Sequence, residues 1–225
     1  MLNIKPLNKN QIAWRASQDV QEGMYINLGI GLPVLMSNYI NKEVIYHSEN
    51  GILGMGPQAK KGEEDPNLVD AAKNPVTLVR GGCYFDSSVS FAMIRGGHLN
   101  LVCLGAFQVT NEGDIANWSV GDEETLPSVG GAMDLVSGVK NIWVLMTFFD
   151  KQGKSKLVRQ LTYPLTGKSC VKRIYTDLAV IDIIQNRFII KEILDGLSVD
   201  ELQKSANVEL FLDENYKILK APDNI

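Results

Sequence analysis

Apolar residues recur at helical spacing over positions 8–20, with Ile12, Ala16 and Val20 on one face. Asn8, followed three residues on by Gln11, has the form of a capping box. A short apolar run at 24–28 reads as a strand. It ends in Gly29-Ile30-Gly31-Leu32-Pro33, and Pro33 suits the first turn of a helix over 33–40. Residues 44–47 read as a second short strand, ending at Ser48-Glu49-Asn50-Gly51. Polar residues then fill 57–74, with Glu63, Glu64 and Asp65 in a row, which predicts a solvated loop with room for a short helix at 67–73. A strand at 76–79 precedes Gly81-Gly82, and a helix over 87–94 takes Asp86 or Ser87 as its cap.

The runs at 99–104 and 142–149 are near-continuously apolar, the pattern of strands buried on both faces. Between them Asn111-Glu112-Gly113-Asp114 marks a hairpin over 109–115. The last third changes character. Lys151-Gln152-Gly153-Lys154 is a turn, Ile174 with 178–184 and 188–193 are β-rich runs turning at Gln185-Asn186-Arg187, and Ser198 with Glu201 opens a final helix. Strands that alternate with helices early and follow one another later predict an α/β fold: an open mixed sheet with flanking helices and a mixed or antiparallel annex, in a single domain over 1–225.

Composition removes several classes. Over 225 residues, 45% hydrophobic and 21% charged content is ordinary for a globular chain and excludes disorder, collagen-like sequence and a disulfide scaffold. Lys plus Arg is 22 against 26 Asp plus Glu, and the net charge of −4 predicts no general attraction to nucleic acid or to an anionic membrane. Cys83, Cys103 and Cys170 are far apart with no C-x-x-C pair, so reduced thiols packed as small apolar residues are expected. Residues 1–6 lack the apolar segment of a signal peptide, and no uncharged run approaches the ~20 residues of a membrane span. The expected location is the cytoplasm.

Three glycine-rich turns are candidates for chemistry. Gly29-Ile30-Gly31 follows a strand and precedes a helix, but Val34 stands where a dinucleotide fingerprint needs its third glycine. A tight turn, or amides facing a ligand carboxylate or carbonyl, accounts for it equally. Ser48-Glu49-Asn50-Gly51 places a carboxylate at a strand end, where open α/β sheets bind ligands, although a plain turn with one surface glutamate has the same sequence. Gly54 and Gly56 just beyond remove side-chain bulk, which would let a ligand come close to Glu49. Gly130-Gly131 precedes a helix start and has amides that suit an oxyanion or a simple turn. His47 and His98, the only histidines, lack the i, i+4 partner of a zinc helix, so no metal is expected. Asp86-Ser87-Ser88 has no G-x-S-x-G elbow.

Taken in order, these segments resemble the B (β) subunit of the family I coenzyme A transferases. The resemblance rests on Asn27-Leu-Gly-Ile-Gly-Leu-Pro33, Ser48-Glu-Asn-Gly-Ile-Leu-Gly-Met-Gly-Pro57, Phe85-Asp-Ser-Ser-Val-Ser-Phe-Ala-Met-Ile-Arg-Gly-Gly-His98, Leu104-Gly-Ala-Phe-Gln108, Gly113-Asp-Ile-Ala-Asn-Trp118 and Gly130-Gly-Ala-Met-Asp-Leu135. Leu165-Thr-Gly167 and Thr176-Asp-Leu-Ala-Val180 extend it, so that it spans roughly 12–202. It implies a sheet related to that of the sugar-phosphate isomerases and a nucleophile at Glu49, which would carry CoA as a glutamyl thioester. It also implies a partner A subunit holding much of the CoA contact, with the site near the A/B interface. The resemblance implies no permanently bound cofactor, with a coenzyme A thioester and a carboxylic acid as the substrates. Gly29, Gly31, Gly130 and Gly131 are the expected sources of oxyanion donors, with Asn50 and Gly51 beside the nucleophile. Gly62-Glu-Glu-Asp65 and residues 172–180 resemble the 3-oxoadipate branch, which uses succinyl-CoA as donor and belongs to aromatic catabolism through β-ketoadipate. Related branches act on acetoacetate with succinyl-CoA, acetate or butyrate. Arg80, Arg95 and Lys168 are candidate cations for the acceptor's distal carboxylate. A non-catalytic ligand-binding domain and an acyl-CoA hydrolase are the competing readings.

Overall fold

The computed structural model describes residues 4–121 and 128–225. Asn8 Oδ1 accepts the Gln11 N–H and Gln11 Oε1 accepts the Asn8 N–H, both at 2.9 Å, and this reciprocal cap starts α1 (Lys9–Gln18). Strand β1 (Tyr25–Leu28) follows. The helix expected over 33–40 is instead a 3-10 helix at Pro33–Asn38. There Ser37 Oγ donates to the Val34 carbonyl and the Tyr39 N–H to Met36, so i to i−3 bonds replace α-helical ones.

Next come β2 (Ile45–Ser48), β3 (Ile52–Gln58) and β4 (Val76–Tyr84). The last runs straight through Gly81-Gly82, and β3 forms where the glycine-rich pattern predicts no strand. No helix forms at 67–73. Asp70 Oδ1 accepts the N–H groups of Ala72 and Asn74 at 2.8 Å each, and this local turn, followed by Pro75, competes successfully with a helix. Asp86 caps α2 (Ser87–Arg95) through the Val89 N–H. Then follow β5 (Leu101–Leu104), β6 (Gln108–Thr110), β7 (Ile115–Ala116), α3 (Ala132–Gly138) and β8 (Ile142–Leu145). The chain leaves the sheet after Leu145, four residues before the end of the apolar run, because Asp177 captures the Phe148 N–H at 2.6 Å. Strand β9 (Leu157–Val158) joins β6 and β7 in a small sheet. Finally come β10 (Val171–Tyr175), β11 (Ala179–Ile184), β12 (Arg187–Leu194), α4 (Val199–Ala206) and β13 (Leu210–Leu219).

Ten strands form one sheet in the order β13-β12-β11-β10-β8-β5-β1-β2-β3-β4. Its centre, β2-β1-β5-β8-β10, is parallel throughout. Antiparallel pairs extend it on both sides, so the late strands lengthen the main sheet rather than build a separate annex. Gln185 and Asn186 join β11 to β12 with φ of +50° and +57°, the primed hairpin turn that matches strand twist.

Side chains of β5 and β8 alternate between two cores. Val102, Leu104, Ile142 and Val144 pack on the side that holds Ile94 of α2 and Leu135 of α3, while Leu101, Cys103, Trp143 and Leu145 meet Ile12 and Ala16 of α1. Both strands are thus covered on both faces, as their unbroken apolar runs require. Asp19, at the end of α1, accepts from Arg15, Arg173 and Tyr175 and ties the helix to β10. Among the described residues no helix is long and apolar enough to cross a membrane.

This burial gives a direct test. Ile142 is 0% exposed and Ile184 is 46% exposed. Ile142→Ala should lower the unfolding free energy by about 2–5 kcal/mol in urea denaturation, and Ile184→Ala by well under about 1 kcal/mol. Equal losses would contradict the two-faced core.

Candidate active site

The strand order reverses at β1: its chain neighbour β2 lies on one side and β5, β8 and β10 on the other. Ligands of open parallel sheets bind at the carboxyl ends of strands beside such a reversal. A cleft of about 1220 Å³ lies there. Gly29 and Gly31 after β1, Glu49 after β2, Gly105 after β5 and Thr147 after β8 line it, together with Gly130 and Gly131 ahead of α3.

Glu49 stands in the turn that closes β2. Gly51 makes that turn possible, because its φ is +118° and a Cβ there would overlap the Phe85 carbonyl oxygen. The Gly51 N–H donates to Ser48 O at 3.0 Å and the Phe85 N–H to Gly51 O at 3.1 Å. On either side of Glu49 the 68–72 loop holds the chain: Ser48 Oγ accepts the Ala71 N–H at 3.1 Å, and Asn50 Nδ2 donates to Val69 O at 2.7 Å.

The half-buried Glu49 carboxylate faces Gly131. A Cβ on Gly131 would lie 2.7 Å from Glu49 Oε2 and 2.9 Å from its carboxyl carbon, so a side chain at this position would displace the carboxylate from where it lies. Burial raises the Glu49 pKa, the Gly131 N–H acting as donor opposes the rise, and the nearby Asp134 charge adds to it. Arg95 Nε holds Asp134 Oδ1 at 2.6 Å and offsets part of that charge.

At the end of β2, beside Glu49 in the chain, lies a buried polar chain. Asn27 Nδ2 is 3.2 Å from His47 Nδ1 and 3.3 Å from the His47 carbonyl, and Ser90 Oγ is 3.1 Å from His47 Nε2. Because the Asn27 amide donates, Nδ1 accepts and Nε2 carries the proton toward Ser90. Burial pushes the His47 pKa down to about 4, so the imidazole is neutral at physiological pH. Phe85 stacks on it with a centroid separation of 6.1 Å. Nothing in the sequence joins Asn27, His47 and Ser90; only the parallel pairing of β1 with β2 and the position of α2 bring them together.

Of the residues expected to supply amide donors, Gly131 has its N–H at the carboxylate, and Gly31 and Gly130, at φ of +89° and +53°, line the cleft with open space beside their Cα atoms. Gly29 also lines the cleft, but its N–H donates to Cys103 O at 2.8 Å and so is unavailable to an oxyanion. Gly51 and the Asn50 side chain are likewise committed to the turn and to the 68–72 loop. Gly54 and Gly56 do not open the approach to Glu49. They let β3 pack against Gly82 and Thr77 of β4. Arg80, Arg95 and Lys168 lie outside the cleft lining, whereas Lys9, Lys151, Lys154 and Lys156 belong to it. Cys83 is exposed, contrary to the packing expected of it, while Cys103 and Cys170 are buried. Among the described residues no three His, Cys, Asp or Glu side chains gather as a metal site.

The family model described as Coenzyme A transferase matches residues 9–205. The chain is 52% identical over 207 residues to the B subunit of the 3-oxoadipate CoA-transferase of Pseudomonas putida, covering 92% of this chain and 97% of that one. It is 41% identical over 202 residues to the B subunit of the succinyl-CoA:3-ketoacid coenzyme A transferase of Helicobacter pylori, covering 89% and 97%. Its fold matches the crystal structure of an acyl-CoA transferase apoenzyme from Escherichia coli O157:H7 with a TM-score of 0.72 at 17% identity, over 98% of this chain and 44% of that longer one.

The raised pKa of Glu49 makes a prediction about stability. A carboxyl whose pKa rises on folding favours the folded state when protonated, so stability falls as pH climbs from the ordinary value of 4.5 through the folded value. Glu49→Gln removes that loss. Melting curves should show the variant level with the parent below pH 4.5 and more stable at neutral pH; a variant less stable at neutral pH would contradict the assignment of a desolvated carboxylate.

Proposed function

This chain belongs to the coenzyme A transferase family, and we propose that it is the B subunit of an enzyme that moves CoA from succinyl-CoA to 3-oxoadipate, with Glu49 as the covalent carrier. The observation that carries the reading is the Glu49 carboxylate itself: held at the strand-order reversal, in a cleft, against the backbone N–H of Gly131. The named relatives, acting on 3-oxoadipate and on 3-ketoacids with succinyl-CoA, support the substrate class. They are B subunits, which supports assembly with an A subunit that completes the site. We read residues 1–225 as one B-subunit domain with the cytoplasm as its place of work and no resident cofactor.

The chemistry proceeds by exchange at three carbonyl carbons: those of the donor thioester, of Glu49 and of the acceptor acid. A Glu49 oxygen attacks the thioester carbonyl of succinyl-CoA, the C–S bond breaks, and CoA leaves as thiolate, so that Glu49 and the succinyl group remain joined as a mixed anhydride. The thiolate then attacks the Glu49 carboxyl carbon, the bond to the succinyl oxygen breaks, succinate departs and glutamyl-CoA remains. A 3-oxoadipate carboxylate attacks that thioester and releases the thiolate, which takes the new acyl group and regenerates the Glu49 carboxylate. No net proton transfer is needed. Every step passes through an oxyanion, and the Gly131 N–H is placed at the Glu49 carboxyl group, where two of these oxyanions form. Desolvation makes the carboxylate more basic and therefore more nucleophilic than one in water.

The tests use the enzyme with its A subunit present. Glu49→Gln and Glu49→Ala should each lower transfer by more than about a thousandfold while leaving the fold intact, as judged by circular dichroism. Intact-mass analysis after addition of succinyl-CoA should show an adduct of CoA mass on Glu49; an adduct elsewhere, or full turnover by either variant, refutes the nucleophile. Release of free CoA with no acyl-CoA product would indicate hydrolysis instead. Gly131→Ala should cost about 10²–10³-fold in kcat, because its methyl group pushes the carboxylate away from the N–H. Transfer should also rise with pH through the raised Glu49 pKa and then level off, since only the ionised form attacks.

A further inference from the structure

The Gly131 N–H at the Glu49 carboxyl group joins the end of β2 to the start of α3, two elements far apart in the chain. Helix α2 touches both. On the β2 side, Phe85, just ahead of α2, donates its N–H to Gly51 O at 3.1 Å and stacks its ring on His47. Within α2, Ser90 Oγ lies 3.1 Å from His47 Nε2. On the α3 side, Arg95 Nε holds Asp134 Oδ1 at 2.6 Å, and Ile94 is buried in one core with Leu135, Val136 and Val139. Gly138 lets the two helices meet backbone to backbone. A Cβ there would overlap the Ile94 carbonyl oxygen and lie 2.6 Å from the Ile94 carbonyl carbon and 2.8 Å from Arg95 Cα.

The contacts on α3 fall at its two ends. Asp134 stands in the first turn, close behind Gly131, and Gly138 is the last residue of the helix. Arg95 thus anchors the end that carries the amide, while Gly138 sets how near the two helix axes come. Carbon atoms in ordinary contact lie about 3.5–4.0 Å apart, so a methyl group on Gly138 would push α3 off α2 by about 1 Å. A hydrogen bond weakens steeply with distance and angle, and a misplacement of about 1 Å from a remote substitution can cost about 10²-fold in rate. Arg95 is exposed, so its ion pair adds little to stability. It also lies outside the cleft lining, and its reach to the reacting carboxyl group runs through Asp134 and α3.

On the reading of Glu49 as CoA carrier, we infer that α2 is a brace that sets the Glu49–Gly131 contact, with Arg95 and Gly138 as positioning residues for transfer. The test uses the enzyme assembled with its A subunit. Gly138→Ala should lower kcat about 10–100-fold and leave KM for succinyl-CoA and for 3-oxoadipate within about twofold. Arg95→Gln, at an exposed position, should leave the melting temperature unchanged and lower kcat about three- to fivefold with the same KM values. It decides the matter should Gly138→Ala not fold. Beside Gly131→Ala, where a methyl group has already displaced the carboxylate, Arg95→Gln should cost less than about 1.5-fold. A raised KM with unchanged kcat overturns the inference, as does an Arg95→Gln loss that persists in full beside Gly131→Ala. Deuterium exchange of the Gly131 N–H, followed by NMR without substrate, separates the brace from the carrier. Exchange should quicken about threefold in Arg95→Gln whichever residue carries CoA. Unchanged exchange refutes the brace; faster exchange with unchanged kcat supports the brace and counts against Glu49 as the carrier.

Discussion

Strands covered on both faces can be approached only from their ends, and this constraint decides where chemistry can occur in the molecule. Leu101 to Leu104 and Ile142 to Leu145 are buried at every position, so neither face of the central sheet offers a surface to a ligand. The chain begins its parallel sheet in the middle, adds β2 on one side, then moves to the other for β5, β8 and β10. Connections leave in opposite directions from β1, and a gap opens between them at the carboxyl ends. The cleft is therefore a consequence of strand order and not of any particular loop.

What is legible in the sequence is what local chemistry determines. The caps at Asn8, Asp86 and Ser198 act on N–H groups three residues away, so their helices are readable at once. Glu49 is readable as a strand-end carboxylate followed by a glycine that must take positive φ. Its facing partner Gly131 belongs to a separately recognised turn, but the steric contact between them depends on the fold. The resemblance to coenzyme A transferases joins these pieces in a way that no single motif could.

The differences between pattern and structure also have physical causes. β13 escapes the pattern because Asp213-Glu214-Asn215 interrupts its apolar run, and the sheet absorbs that interruption as an irregularity opposite Ile190 and Glu192 of β12. The 67–73 helix loses to the side chain of Asp70. The Gly29 amide, a candidate oxyanion donor by sequence, is held by the Cys103 carbonyl of the neighbouring strand. Pairing partners distant in sequence decide each of the strand differences, and periodicity cannot report them.

The Asn27–His47–Ser90 chain has a consequence for how reliably Glu49 comes to face its cleft. Side chains along a strand alternate, so sliding β2 by one residue against β1 would turn the carboxylate toward the opposite layer. Apolar residues tolerate such slippage, since one methyl group fits much like another. A buried amide, imidazole and hydroxyl do not, because a shift would strand three polar groups in the interior at a cost of roughly 1–3 kcal/mol each. The polar trio thus works as an alignment key: it penalises the misthreaded sheet more than it strengthens the correct one.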